Sequence, residues 1–143
     1  ITVVGVPDRP GIAAAIFEPL ARAGISVDTI VQNASIQNIT DLSFTVARSQ
    51  LKAALEVVKP IVKEIGARDC VSDAKLGKVS IIGTGMQNTP GYAAQMFKTL
   101  SEHNINIQLI TTSEIRITCI IDEAKVKDAV RALHRAFELE VKD

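Results

Sequence analysis

Pro10-Gly11 returns as Pro90-Gly91, 80 positions later, and the residues that follow return with it. At that shift Ile12 meets Tyr92, Ile16 meets Met96, Phe17 meets Phe97 and Leu20 meets Leu100. The spacing i, i+4, i+5, i+8 is that of one helix face. Gly24 falls on Asn104, and these two residue types best tolerate the left-handed conformation that ends helices. Ile25, Val27 and Ile30 then fall on Ile105, Ile107 and Ile110, read as the inward positions of a strand. Beyond them the shift drops to 75. Leu42, Phe44 and Val46 meet Ile117, Cys119 and Ile121 at period two. Leu51, Leu55, Val58 and Val62 meet Val126, Val130, Leu133 and Phe137 at helical period. The first copy therefore carries five extra residues between its second and third strands, within 33–41. A duplication across every element restricts the chain to two small units of one architecture.

Each copy reads strand, helix, strand, strand, helix. A further strand is expected at 68–74 in the first copy, with a weaker candidate at 139–142 in the second. This is the split βαβ order of an α+β, ferredoxin-like βαββαβ sandwich: an antiparallel sheet with two helices on one face. The tandem modules are placed at 1–75 and 76–143. Units of about 65–75 residues are near the lower limit for a self-sufficient core, so pairing of copies and of chains is expected. Pro19 and Pro60 fall inside the predicted helices, where each removes a backbone donor and should kink its helix.

Lys+Arg and Asp+Glu number 16 each, so no net charge draws the chain toward nucleic acid or an anionic membrane. Aromatics are 3% with no Trp, which argues against base-stacking platforms. No apolar run reaches the ~18–20 residues of a membrane helix. The chain opens on ITVVGV with neither an initiator Met nor a signal peptide, which reads as an internally started or excised piece. Cys70 and Cys119 fit no CxxC or zinc spacing, and a reduced cytoplasmic protein is the better reading. Cys119 alternates with Ile117 and Ile121, as a packed core thiol would.

No catalytic constellation emerges, and no metal set. His103 lies near a helix end, and His134 lies off the apolar stripe of the last helix, as a solvated or boundary residue. Asp122-Glu123 reads as a helix N-terminus, where acids suit the macrodipole. Gly83-Thr-Gly85 lacks the third Gly and the Lys-Ser/Thr of nucleotide-binding loops. The informative place is the turn Val6-Pro7-Asp8-Arg9-Pro10-Gly11. Gly opens the backbone to close approach, and the free N–H groups of a first helical turn attract a carboxylate. Asp8 beside them either holds a cation or caps the helix. An amino acid presents both charges on one carbon.

With these residues in view, the chain resembles the ACT domain, a ferredoxin-like module that binds free amino acids. It is most similar to the tandem ACT pair that regulates aspartate kinase (aspartokinase). The resemblance covers almost the whole chain. It is carried by GVPDRPGIAAAIFEPLARAGISVDTIVQNAS, DLSFTV, KVSIIGTGMQNTPGYAAQMF, HNINIQLITTSEIRITCIID and AVRALHRAF. It implies feedback control, with threonine and lysine bound between ACT modules of paired chains, favouring an inhibited arrangement of an attached kinase. By matching motif, the implied effector site takes Asp8, Gly11, Ala13, Gln32, Asn106 and Ile107. Ser35, Ser113 and Glu114 match positions linked to feedback sensitivity. Asn88 stands where Asp8 stands in the first copy and offers no charge to an ammonium, so the composite with Asp8 is expected to be the tighter, threonine-first site. Glu114 suits the side-chain ammonium of lysine at a second composite.

The family's catalytic domain is absent from this sequence, so the chain alone is not expected to phosphorylate aspartate, and it needs no cofactor. Its expected partners are a free amino acid, a second copy through the ACT modules, and an aspartokinase catalytic domain or subunit, without nucleic acid or membrane. A regulator of another amino-acid pathway is the nearest alternative. An acylphosphatase would need Arg9 in a phosphate-cradling loop, and an RNA-binding module would need exposed aromatics and a basic surface.

Overall fold

The computed structural model describes residues 1–83 and 90–137. It contains two compact units, Ile1–Ala74 and Lys75–Asp143.

The first unit runs β1 (Thr2–Pro7), α1 (Ile12–Arg22), β2 (Val27–Gln32), β3 (Ile39–Val46), α2 (Leu51–Glu64) and β4 (Asp69–Val71). Its sheet has the order β2-β3-β1-β4 with every pairing antiparallel. Val3 and Val6 of β1 meet Leu42 and Phe44 of β3, Ile12, Ile16 and Leu20 of α1, and Ala54, Val58, Ile61 and Val62 of α2 in one buried core. The Phe17 ring meets Phe44 edge-on at 5.2 Å. Strand alternation alone would not bury both Val3 and Val6, which are three apart. A register shift between them resolves this, and Gly5 inside it has φ 69°. A Cβ on Gly5 would lie 2.8 Å from the Cβ of Arg68, so glycine also admits the approach of the segment entering β4.

The second unit repeats the order as β5 (Leu76–Ile82), α3 (Tyr92–Glu102), β6 (Ile107–Thr112), β7 (Arg116–Asp122) and α4 (Val126–Ala136), with the antiparallel sheet β5-β7-β6. Val79, Met96, Leu100, Ile105, Ile117, Cys119, Ile121, Ala129 and Leu133 form its core. Tyr92 stacks on Phe137 at 6.0 Å. The strand expected at 139–142 lies outside the described residues. A 3-10 turn precedes the last helix of each unit, Arg48–Gln50 and Glu123–Lys125, at the same 75-residue shift. Asp122 does open the second, its Oδ1 accepting from the Ala124 N–H at 2.9 Å.

The first strands also correspond, at a third shift of 78. The Thr2 and Ser43 hydroxyls pair across β1 and β3 at 2.8 Å, and Ser80 and Thr118 pair across β5 and β7 at 2.7 Å. Three expectations change. Ile30 and Ile110 pair in register with the buried Phe44 and Cys119, but sit on the edge strands β2 and β6 and remain 53% and 43% exposed. Val130 is 50% exposed, because Ala129 and Ala132 carry that face of α4 into the core. The strand expected at 68–74 is only three residues long. Both α1 and α2 continue past Pro19 and Pro60.

Candidate functional site

In the first unit β1 and β2 are both antiparallel to β3, so they point the same way and end at the same edge of the sheet. Asp8 follows the end of β1, Gln32 ends β2, and α1 starts at that edge. Topology thus brings Asp8, Gly11, Ala13 and Gln32 to one end of one unit, and all four are exposed. Gly11 is the N-cap of α1 with φ 85°, a conformation that glycine adopts without strain, and no side chain caps the helix there. Asp8 therefore does not serve as the cap. The Ile12 N–H is taken by the Arg9 carbonyl at 3.2 Å, and helical bonding begins with Ala15 N–H to Gly11 C=O at 3.0 Å. The first-turn N–H groups between them lack acceptors within the helix, and a Cβ on Gly11 would touch nothing within 4 Å.

The turn is also tied down. The Asp8 N–H donates to the Asn38 carbonyl at 2.8 Å, and Pro7 pairs with Ile39 of β3. Arg9 turns away from any phosphate cradle, its guanidinium donating to the Ile65 carbonyl at 3.4 Å. Ser35 is exposed in the β2–β3 connection.

In the second unit Ile107 begins β6 with Asn106 just before it, at the opposite end of that strand from Ser113 and Glu114. Asn106 and Ile107 line a groove of about 360 Å3 with Phe97, Ser101, Asn104 and Ile105. Ser113 and Glu114 are exposed in the β6–β7 turn, closed by Ser113 N–H to Arg116 C=O at 2.8 Å. Asn88, with Thr84 and Gly85 of the glycine pair, lies outside the described residues. A second, more apolar cleft of about 370 Å3 lies between β5 and α4, lined by Ile81, Tyr92, Val130, Leu133, His134 and Phe137 among others.

The titratable groups do not form a catalytic set among the described residues. Burial pushes the Cys119 thiol up to about 11, and its sulfur lies 4.0 Å from that of Met96 in the core. Cys70 is half-buried and its thiol is also raised by burial, while both cysteines are free. Lys78 is lowered by burial and then by the nearby charge of Arg116. His103 ends α3 with Nδ1 at 2.9 Å from the Thr99 carbonyl, and His134 is exposed on α4. No group of His, Cys, Asp or Glu among the described residues is arranged to hold a metal. No helix among them is long and apolar enough to cross a membrane.

Two features escaped the sequence reading: the groove around Asn104 and the Asn38–Asp8 tether. The first had a signal in the Gly24/Asn104 match. The second had one only in the location of the five-residue insertion.

The ACT-domain family matches residues 1–62 and again residues 79–137. An aspartate kinase of Pseudomonas fluorescens is 50% identical over 140 residues, which cover 98% of this chain and 34% of that protein. The chain thus spans about a third of the length of the curated relatives it matches. Among solved structures, one of aspartokinase alpha and beta subunits is 45% identical with a TM-score of 0.87, covering 96% of this chain and 90% of that one. The ligand-free regulatory subunit of aspartate kinase from Thermus thermophilus is 40% identical with a TM-score of 0.88, covering 95% and 89%. E. coli aspartokinase III in complex with lysine and aspartate shares the fold at 22% identity and a TM-score of 0.65, covering 94% and 29%.

Proposed function

Because the chain belongs to the aspartate kinase family, as its tandem ACT-domain regulatory region, we propose that it senses free threonine, with lysine as a second effector, for feedback inhibition. The observation that carries this reading is the turn after β1. An exposed carboxylate, Asp8, stands beside a helix start whose N–H groups no side chain caps, and Gln32 lies at the same end of the sheet. Asp8 pairs with the α-ammonium, the first-turn N–H groups around Gly11 and Ala13 take the carboxylate, and Gln32 bonds the threonine hydroxyl. Asn106 and Ile107, on their groove, complete the proposed effector set. Ser35, Ser113 and Glu114 are proposed to set sensitivity, with Glu114 answering the side-chain ammonium of lysine. The complex of the E. coli relative supports lysine as a ligand class.

The proposed partners are a second copy of the chain and an aspartokinase catalytic domain or subunit, in the cytoplasm. The exposed isoleucines Ile30 and Ile110 on edge strands support pairing of chains. ATP-dependent phosphorylation of L-aspartate is assigned to that catalytic partner. Inhibition further requires that threonine bind one of two arrangements of the assembly more tightly than the other. A crystal of the chain grown with threonine tests the site. The reading expects the amino acid at residues 8–11 with its ammonium on Asp8, and density elsewhere only would remove this assignment.

A further inference from the structure

The stretch 33–41, which holds the five extra residues of the first copy, contains the turn Ile36-Gln37-Asn38-Ile39. Ile36 and Ile39 exchange both backbone hydrogen bonds at 3.0 Å, and Gln37 and Asn38 have φ of 54° and 63°. Two positive φ values at the centre of a two-residue hairpin are the type I′ pattern, normally filled by Asn-Gly. Two adjacent non-glycine residues in that region are uncommon, and such backbone is kept where its surroundings hold it. The insertion adds little to the core, since Ile36 is 74% and Ile39 51% exposed. It meets the effector turn at Asp8 and is braced within itself and against β1. The Asn38 carbonyl accepts the Asp8 N–H at 2.8 Å, Thr40 Oγ1 donates to the Asn33 carbonyl at 2.7 Å, and Asp41 Oδ1 accepts the Gly5 N–H at 3.0 Å. In the second unit the shorter β6–β7 turn meets Gly83, whose N–H donates to the Ile115 carbonyl at 2.8 Å. Gly83 matches Gly5, whose N–H is taken by Asp41 in the first unit, where the turn also holds the Asp8 N–H.

We propose that the 36–39 turn is a positioning element that holds Asp8 in the geometry needed to receive the effector ammonium. This rests on the effector reading above and adds residues that it does not contain. Gln37 and Asn38 act through the Asp8 backbone and do not touch the ligand. The insertion thereby separates the two copies functionally, giving the first an anchored acidic turn.

The test measures threonine binding by calorimetry and exchange of the Asp8 amide by NMR, in the chain and three variants. Gln37→Pro cannot take a positive φ and opens the turn. Asn38→Val opens it by a second route, since a β-branched residue resists that region, and serves if the proline variant does not fold. The pair Gln37→Asn with Asn38→Gly restores the preferred I′ residues. In the opened variants the Asp8 amide should exchange at least tenfold faster and threonine affinity should fall at least tenfold, with helix content unchanged. The restored pair should keep both at the level of the unaltered chain. Unchanged threonine affinity in a folded opened variant overturns the positioning role and leaves the effector reading intact. Lost affinity with the Asp8 amide still protected also overturns it. If the unaltered chain binds neither threonine nor lysine, the effector reading falls and this inference with it.

Discussion

Gly24 and Asn104 occupy the same point of the repeat, and both hold a left-handed backbone, with φ of 74° and 57°. Each ends a helix in the same way. The Gly24 N–H donates to Ala21 and the Asn104 N–H to Ser101, both at 3.0 Å, while the next residues, Ile25 and Ile105, donate back to Leu20 and Leu100 at 3.0 and 2.9 Å. The reversal aims the following isoleucine into the core in both units.

Substitution at these two positions should therefore be asymmetric. Gly24→Ala places a Cβ in the left-handed region and should destabilise by about 1–2 kcal/mol. Asn104→Gly should leave stability level or raise it by a few tenths, while Asn104→Ala lowers it. Urea unfolding of the three variants checks this, and equal effects of Asn104→Gly and Asn104→Ala would deny the left-handed requirement.

Burial of Cys119 gives a pH dependence with a definite sign. Its thiol is raised from 9.0 to about 11, so the folded state holds the proton more tightly than the unfolded chain. Its contribution is fully present below pH 9 and is lost as pH rises from 9 through about 11. Unfolding of the chain and of Cys119→Ala, measured at pH 8 and pH 10.5, should show the steeper decline in the chain. Under native conditions a thiol reagent should modify the half-buried Cys70 ahead of Cys119.

Phe44 is 1% exposed and packs edge-on against Phe17, at the centre of the first core. Phe44→Ala should cost about 3–5 kcal/mol, a large share of the stability of so small a unit. Thermal unfolding followed by far-UV circular dichroism reads the loss, and a melting temperature within a few degrees of the unaltered chain would contradict the packing described.

The fold was legible because apolar periodicity and a duplicated sequence report the same elements twice. Helix 12–22 was readable from Ile12, Ile16 and Leu20, and again from Tyr92, Met96 and Leu100. What periodicity could not report was the break in it. The bulge at Gly5 adds an unpaired residue to β1, and the first strands match at 78 rather than 80 because two more residues separate Gly83 from Pro90 than Gly5 from Pro10. The exposure of Ile30 and Ile110 goes with sheet order, since both lie on edge strands, and no single strand encodes its neighbours. Val130 misled because Ala129 and Ala132, small and easily passed over, carry the buried face of α4. For the candidate site, the Pro-Gly turn and Asp8 were visible as chemistry. The Asp8–Asn38 bond was not, because it joins residues 30 positions apart through backbone atoms that carry no sequence signature.

The central claim is that the turn bearing Asp8 receives an amino acid. Calorimetric titration of the chain with threonine, with lysine, and of Asp8→Ala with each, tests it most directly. The account predicts saturable heat for threonine that Asp8→Ala weakens at least tenfold, as loss of one charge-assisted contact of about 1.5–3 kcal/mol requires. Heat for lysine alone, unchanged in Asp8→Ala, would contradict it.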